Sequence, residues 1–186
     1  MTRIKVIKYE EATGRLKEIY DDLVAKRGKL AEVHTIQSLR PESIVKHMEL
    51  YLEIMFSRSE LSRAERELIA VVVSVLNECN YCQIHHAEAL NHYWKNDEKI
   101  SLLKKDFRQA GLTGREMKLC EYAQSLTLYP AKANETDITE PLKNAGLNDS
   151  TILDATLVVA YFNFVNRIVS GLRVEIESDL GAGYNY

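Results

Sequence analysis

Apolar residues recur at three- and four-residue intervals through most of this chain, which is the rhythm of amphipathic helices. Residues 1–9 depart from it. Ile4 and Val6 alternate with Lys5 and Lys8, and the segment reads as an extended arm. A first helix is predicted over 10–27, with Leu16, Ile19, Tyr20 and Leu23 on one face and Gly28 as its stop. A short helix is predicted over 30–39. Pro41 suits the first turn of the next, which runs to about 57 with Ile44, Val45, Met48, Tyr51 and Leu52 inward.

Ser62 and Glu65 form a capping-box pattern ahead of a run, 68–76, that is apolar on every side. The valines there suit a strand, but the capped unit is too long for one, so a central helix surrounded by neighbours is expected. Asn77 can stop that helix and cap the next, which carries residues 79–93. A charged helix over 97–107 follows, then Gly111. A second capping box, Thr113 and Glu116, opens a helix to about 128. A short helix over 137–145 ends at Gly146, and Asn148 or Asp149 caps a last helix to about 177. The tail GAGYNY, 181–186, reads as loose. The two Leu-Ser/Thr-x-x-Glu openings, at 61–65 and 112–116, echo each other; duplication of a helical unit and chance recurrence both explain them.

Gly and Pro number 8 and 3, too few to punctuate short strands, so the pattern specifies an all-α fold, a compact multi-helix bundle. Hydrophobic residues at 46% and charged residues at 27% exclude a disordered chain. A length of 186 residues is read as one domain, 1–186. The net charge of −3 and scattered basic residues argue against nucleic acid as a partner. The apolar run 68–76 is about half the length that spans a bilayer, so no membrane is expected. Met1 leads into charged sequence without a secretory pattern, and a cytoplasmic location is expected.

Three cysteines cannot form a disulfide framework, and two of them make a CxxC, Cys79 and Cys82. On a helix Cys82 lies about 60° from Cys79, with His86 between them, so the three share a face. Tyr81 points nearly opposite and His85 sits at the flank. Near a helix start, with an imidazole at hand, a thiol should lose its proton more readily than usual. The thiolate is the nucleophile, and the second sulfur can close a disulfide. Glu67, beside a run without charge, must find a partner or stay at the helix end; its distance from the cluster is left open. A zinc site from Cys79, Cys82, His85 and His86 is disfavoured, because adjacent histidines on a helix diverge by about 100°. No metal and no cofactor are expected. Cys120 and His34, His47 and His92 read as core or surface residues. Asn163, Asn166 and Arg167, polar within an apolar helix, read as a hydrogen-bond network more readily than as part of a site mouth.

The pattern Glu67, eleven residues, Cys79-x-Tyr81-Cys82-x-x-x-His86 resembles the alkylhydroperoxidase D core of the carboxymuconolactone decarboxylase-like superfamily. LSRAERELIAVVVSVLNECNYCQIHHAEAL, within a core motif of about 61–93, is similar to that family throughout. YFNFVNRIVSGLRVEIE, 161–177, resembles its peroxidase-related subgroup. The resemblance implies an alkylhydroperoxidase D-like bundle, a homo-oligomer (trimer or hexamer), and thiol-dependent reduction of a hydroperoxide substrate with a dithiol reductant as partner. It implies that Cys82 takes the sulfenic intermediate, that Cys79 resolves it and donates a proton, and that His86 and Glu67 form the relay. Tyr81 stands where well-known members have histidine, so Tyr81 and His85 are secondary candidates for relay or substrate contact. The alternative is a non-enzymatic CxxC redox sensor or oligomeric interaction module. The decarboxylase branch lacks the CxxC pair, which argues against that activity.

Overall fold

A computed structural model describes residues 1–177; the expected loose tail lies outside them. Among the described residues there are helices and no strands. Gly14–Arg27 (α1), Glu32–Thr35 (α2), Pro41–Phe56 (α3), Arg63–Leu76 (α4), Asn80–Trp94 (α5), Asp97–Lys105 (α6), Gly114–Leu128 (α7), Glu140–Asn144 (α8) and Asp149–Leu172 (α9) follow in that order.

The organising element is α4. Every side chain from Arg66 to Ser74 is buried, and the helix packs against α5, α7 and α9, with α6 and α3 completing its surround. Each Leu, Ile or Val in this stretch gains roughly 1.5–3 kcal/mol from burial. Both capping boxes form. Ser62 Oγ accepts from Glu65 N–H at 3.2 Å while Glu65 Oε2 accepts from Ser62 N–H at 2.8 Å. Thr113 and Glu116 repeat the exchange at 3.2 and 2.8 Å. Arg115 on α7 then donates to Glu65 at 2.6 Å, fastening the two capped ends together.

Arg66 is a charge inside this apolar helix, and its surroundings explain why it is tolerated. Its guanidinium donates to the carbonyls of Ile54 at 3.1 Å and Ser57 at 2.7 Å, satisfying the end of α3 where helix carbonyls lack partners.

Several boundaries differ from the sequence expectation. The arm is extended but not loose: Arg3 N–H donates to Leu172 O at 3.0 Å and Ile7 N–H to Ser38 Oγ at 2.9 Å. The first helix begins at Gly14, after a 3-10 turn at Tyr9–Glu11. On α3 the inward face is Ile44, His47, Met48, Tyr51, Ile54 and Met55, whereas Leu52 is 44% exposed. A three-residue step from Met48 to Tyr51 and a four-residue step on to Met55 carry the buried stripe and leave Leu52 outward. The last helix stops at Arg173, in the left-handed region at φ 54°, so 174–177 leave the helix. By length and composition α9 could cross a membrane, which the shorter run 68–76 did not suggest. Half of its apolar window is instead buried against α3, α4 and α7, as a core helix requires.

Candidate active site

The helices α4 and α5 are joined by a reversal at Asn77–Cys79. Asn77 ends α4, Glu78 takes φ 53°, and Cys79 is the residue that caps α5. Asn77 thus does not open α5, as had been expected. Its amide instead donates to Asn163 Oδ1 and Asn166 Oδ1, each at 3.1 Å, and Asn166 donates to Ser74 Oγ at 3.3 Å. Arg167 donates to Asn163 Oδ1 at 2.8 Å. The polar residues of α9 therefore form a hydrogen-bond network within the chain that clamps the reversal in place.

The reversal lays α5 back along α4, and this puts Glu67 against His86. Glu67 Oε2 meets His86 Nδ1 at 2.6 Å, and its other oxygen pairs with Arg63 at 2.5 Å. Contact is direct, with neither a bend nor a bridging water needed. Glu67 is fully buried, so the carboxylate holds its charge in an apolar helix by these two partners. A carboxylate only accepts hydrogen bonds, so His86 keeps its proton on Nδ1 and turns the other ring nitrogen to the site. Phe162 fixes the ring from the side, edge on, at 4.5 Å between centroids.

Cys79 and Cys82 lie beside each other, and both residues are 2% exposed. The Cys82 thiol, donating to its neighbour, brings Cys79 down to about 7, against burial and with help from Ser170. The same bond pushes the Cys82 thiol well up, and burial adds to it, while Asn166 opposes. The expected lowering thus falls on Cys79 and not on Cys82, the sulfur expected to be the nucleophile. Cys120 is buried alone on α7, and burial pushes its thiol up, as suits a core residue.

A cavity of about 80 Å³ opens beside the pair. Cys82 and His86 line it; Cys79 does not. Tyr51, Tyr161, Phe162, Val165 and Met48 supply apolar walls, with Arg27 also on the lining. Tyr81 lines the cavity too, so it does not point away from the cluster as the helical projection implied. Its position next to the N-cap, before α5 is a full turn old, swings it round. Tyr81 donates to Glu177 at 2.6 Å, and His85 meets the other oxygen of that carboxylate at 2.8 Å. The two adjacent histidines are therefore held by different carboxylates.

Glu177 had no part in the sequence reading. It reaches the site because α9 ends early and the chain turns back. Burial raises its carboxyl, but hydrogen bonds from His85, Tyr81 and the Glu32 N–H outweigh that and bring it to about 2. His34 and His47, read as ordinary core or surface residues, also line the cavity. Burial lowers His34 to about 3, with His47 and Arg27 adding, and lowers His47 to about 4. Both are neutral imidazoles at pH 7. Their pairing spans α2, α3 and α9, so no local spacing announces it.

Residues 43–125 match the carboxymuconolactone decarboxylase family. No curated protein sequence matches the chain. Among solved structures, the chain is similar to a peroxidase-related protein with an alkylhydroperoxidase core from Ralstonia eutropha, at 20% identity, TM-score 0.85, over 97% of this chain and 94% of that one. It is similar to a peroxidase-related protein from a Silicibacter species, at 26% identity, TM-score 0.83, over 98% of each chain. It also shares its fold with a debrominase, at 17% identity, TM-score 0.78, over 98% of this chain and 96% of that one.

Proposed function

For a chain that matches the carboxymuconolactone decarboxylase family over 43–125 and has the fold of alkylhydroperoxidase-like proteins, we propose a thiol-dependent hydroperoxide reductase. The observation that carries this reading is the Glu67–His86 contact at 2.6 Å, made by an imidazole that shares a cavity with Cys82, with Cys79 beside it.

In the reduced pair the proton resides on Cys82. As a hydroperoxide ROOH enters, Cys82 passes this proton to Cys79 and its sulfur attacks the distal oxygen. The O–O bond breaks, the departing RO⁻ takes that proton from Cys79 and leaves as ROH, and Cys82 becomes a sulfenic acid. Cys79, again a thiolate, attacks that sulfur. The S–S bond forms, and hydroxide leaves as water, taking a proton that comes from solvent by way of His86, whose Nε2 can accept and pass it on while Glu67 holds Nδ1. A dithiol reductant returns the disulfide to a thiol on Cys82 and a thiolate on Cys79, releasing one proton, which restores the starting state. The largely apolar side chains of the cavity wall favour an organic hydroperoxide.

The test is Cys82→Ser. It should reduce cumene hydroperoxide turnover with a dithiol to background, while wild type loses two titratable thiols per equivalent of peroxide. Wild-type turnover in the variant rejects the assignment. Loss of two thiols with a change in molecular size but no turnover identifies a redox sensor instead.

A further inference from the structure

The cavity that His86 lines has a second polar arm that the cycle above does not use. Gln37 Nε2 donates to the backbone carbonyl of Val33 at 2.8 Å and to His47 Nδ1 at 2.7 Å. A carbonyl oxygen can only accept, which fixes the Gln37 amide with its NH₂ group on this side. His47 Nδ1 must then be an acceptor. A buried, neutral imidazole carries one proton, so it sits on Nε2. That N–H meets the Tyr161 hydroxyl oxygen at 2.6 Å. Tyr161 accepts from His47 and keeps its own hydrogen to give. Among the described residues no other side chain or carbonyl accepts it, although Tyr161 is 5% exposed and lines the cavity with Cys82.

We propose that Tyr161 is a catalytic residue, the hydrogen-bond donor to the leaving oxygen of the hydroperoxide, and that His47 and Gln37 position its hydroxyl hydrogen. The proposal deepens the hydroperoxide reductase reading and rests on it. In the attack by Cys82, charge develops on the oxygen bound to R as the O–O bond breaks. A donor held in advance, in a cavity with little water, stabilises that charge without having to reorganise. His86, which lines the same cavity, is left to serve the sulfurs. Rings pack round the donor and restrict its swing: His47 at 5.6 Å, Phe162 at 5.2 Å and Tyr51 at 5.9 Å between centroids.

The experiment follows the rate of disulfide formation in the full chain with a series of aryl hydroperoxides whose alcohols differ in acidity. Tyr161→Phe keeps the ring and removes the donor. Its second-order rate constant should fall on the order of 10–100-fold for hydroperoxides with poor leaving groups. The fall should shrink as the leaving alcohol becomes more acidic, giving a steeper dependence on leaving group than wild type. His47→Gln, which retains an N–H for Tyr161, should stay within about threefold of wild type, whereas His47→Leu should behave as Tyr161→Phe. An equal loss across the series would mean a packing role and overturn the proposal, as would a Tyr161→Phe rate matching wild type. Should Tyr161→Phe fail to fold, identical leaving-group slopes for His47→Leu and wild type overturn it. Absence of peroxide-driven disulfide formation in wild type removes the underlying activity and this role with it.

Discussion

Glu177 illustrates what one carboxylate can do when three donors converge on it. Its carboxyl is brought from 4.5 to about 2 by His85, Tyr81 and the Glu32 backbone, against burial. A carboxylate lowered in the folded state favours folding fully above its unfolded value, and this advantage is lost as pH falls through the folded value. The window here is about pH 4.5 down to about 2. At about 1.4 kcal/mol per pH unit the full fall is worth about 3.5 kcal/mol, which partial solvent screening reduces to roughly 2–3 kcal/mol at neutral pH. Glu177→Gln should therefore lower stability at pH 7 by about that amount and flatten the acid side of the stability curve, as measured by urea unfolding between pH 2 and 7. At this same scale the sequence was only partly legible. Cys79, Cys82 and His86 could be grouped because they lie within eight positions on one helix, where geometry is set by local spacing. Glu67 could be singled out as a charge needing a partner, but not joined to His86, because that contact depends on the reversal at Glu78. Tyr161 and His47 are 114 positions apart, and their hydrogen bond exists only once α3 and α9 have packed. Tyr81 was placed on the wrong side because a helical projection holds poorly at the first turn.

Among the elements, α4 is where sequence and fold agree most closely. An apolar stretch with a capping box in front of it leaves little choice but a buried helix, and the box forms as read. Ser62 satisfies an N–H that the helix itself cannot, so Ser62→Ala should cost about 1 kcal/mol in chemical unfolding. The cost should be larger than for a peptide helix, since Glu65 in the same box also holds Arg115 of α7 at 2.6 Å. The ends of helices were less legible. Nothing in VEIE, the last residues of the final periodic segment, says that the helix stops at Arg173. Yet that stop is what frees Glu177 to reach Tyr81 and His85.

On the scale of the whole molecule, α9 presents a dry face inward and an apolar stripe outward. Leu153, Leu157 and Phe164 are exposed and fall within about 40° of one another around the helix. Such a stripe on a folded chain points to a surface covered by another copy, in keeping with the homo-oligomer proposed from the resemblance. Leu157→Glu should shift the particle measured by light scattering to a smaller mass, with helical content unchanged; an unaltered mass places the contact elsewhere. The overall class, helices without strands in the described chain, was legible from periodicity and the scarcity of glycine and proline. Which apolar helix faces stay exposed was not, because Leu52 and Leu157 look the same in sequence as residues that end in the core.

The lining of the cavity carries a kinetic corollary. Only one sulfur of the pair faces the opening, and the space of about 80 Å³ beside it is too small for two guests. Under the proposed reductase reading, oxidant and regenerating thiol therefore visit in alternation, each after the other's product has gone. Initial velocities would trace the parallel lines of a double-displacement scheme, and a large excess of either reactant would hold the turnover back.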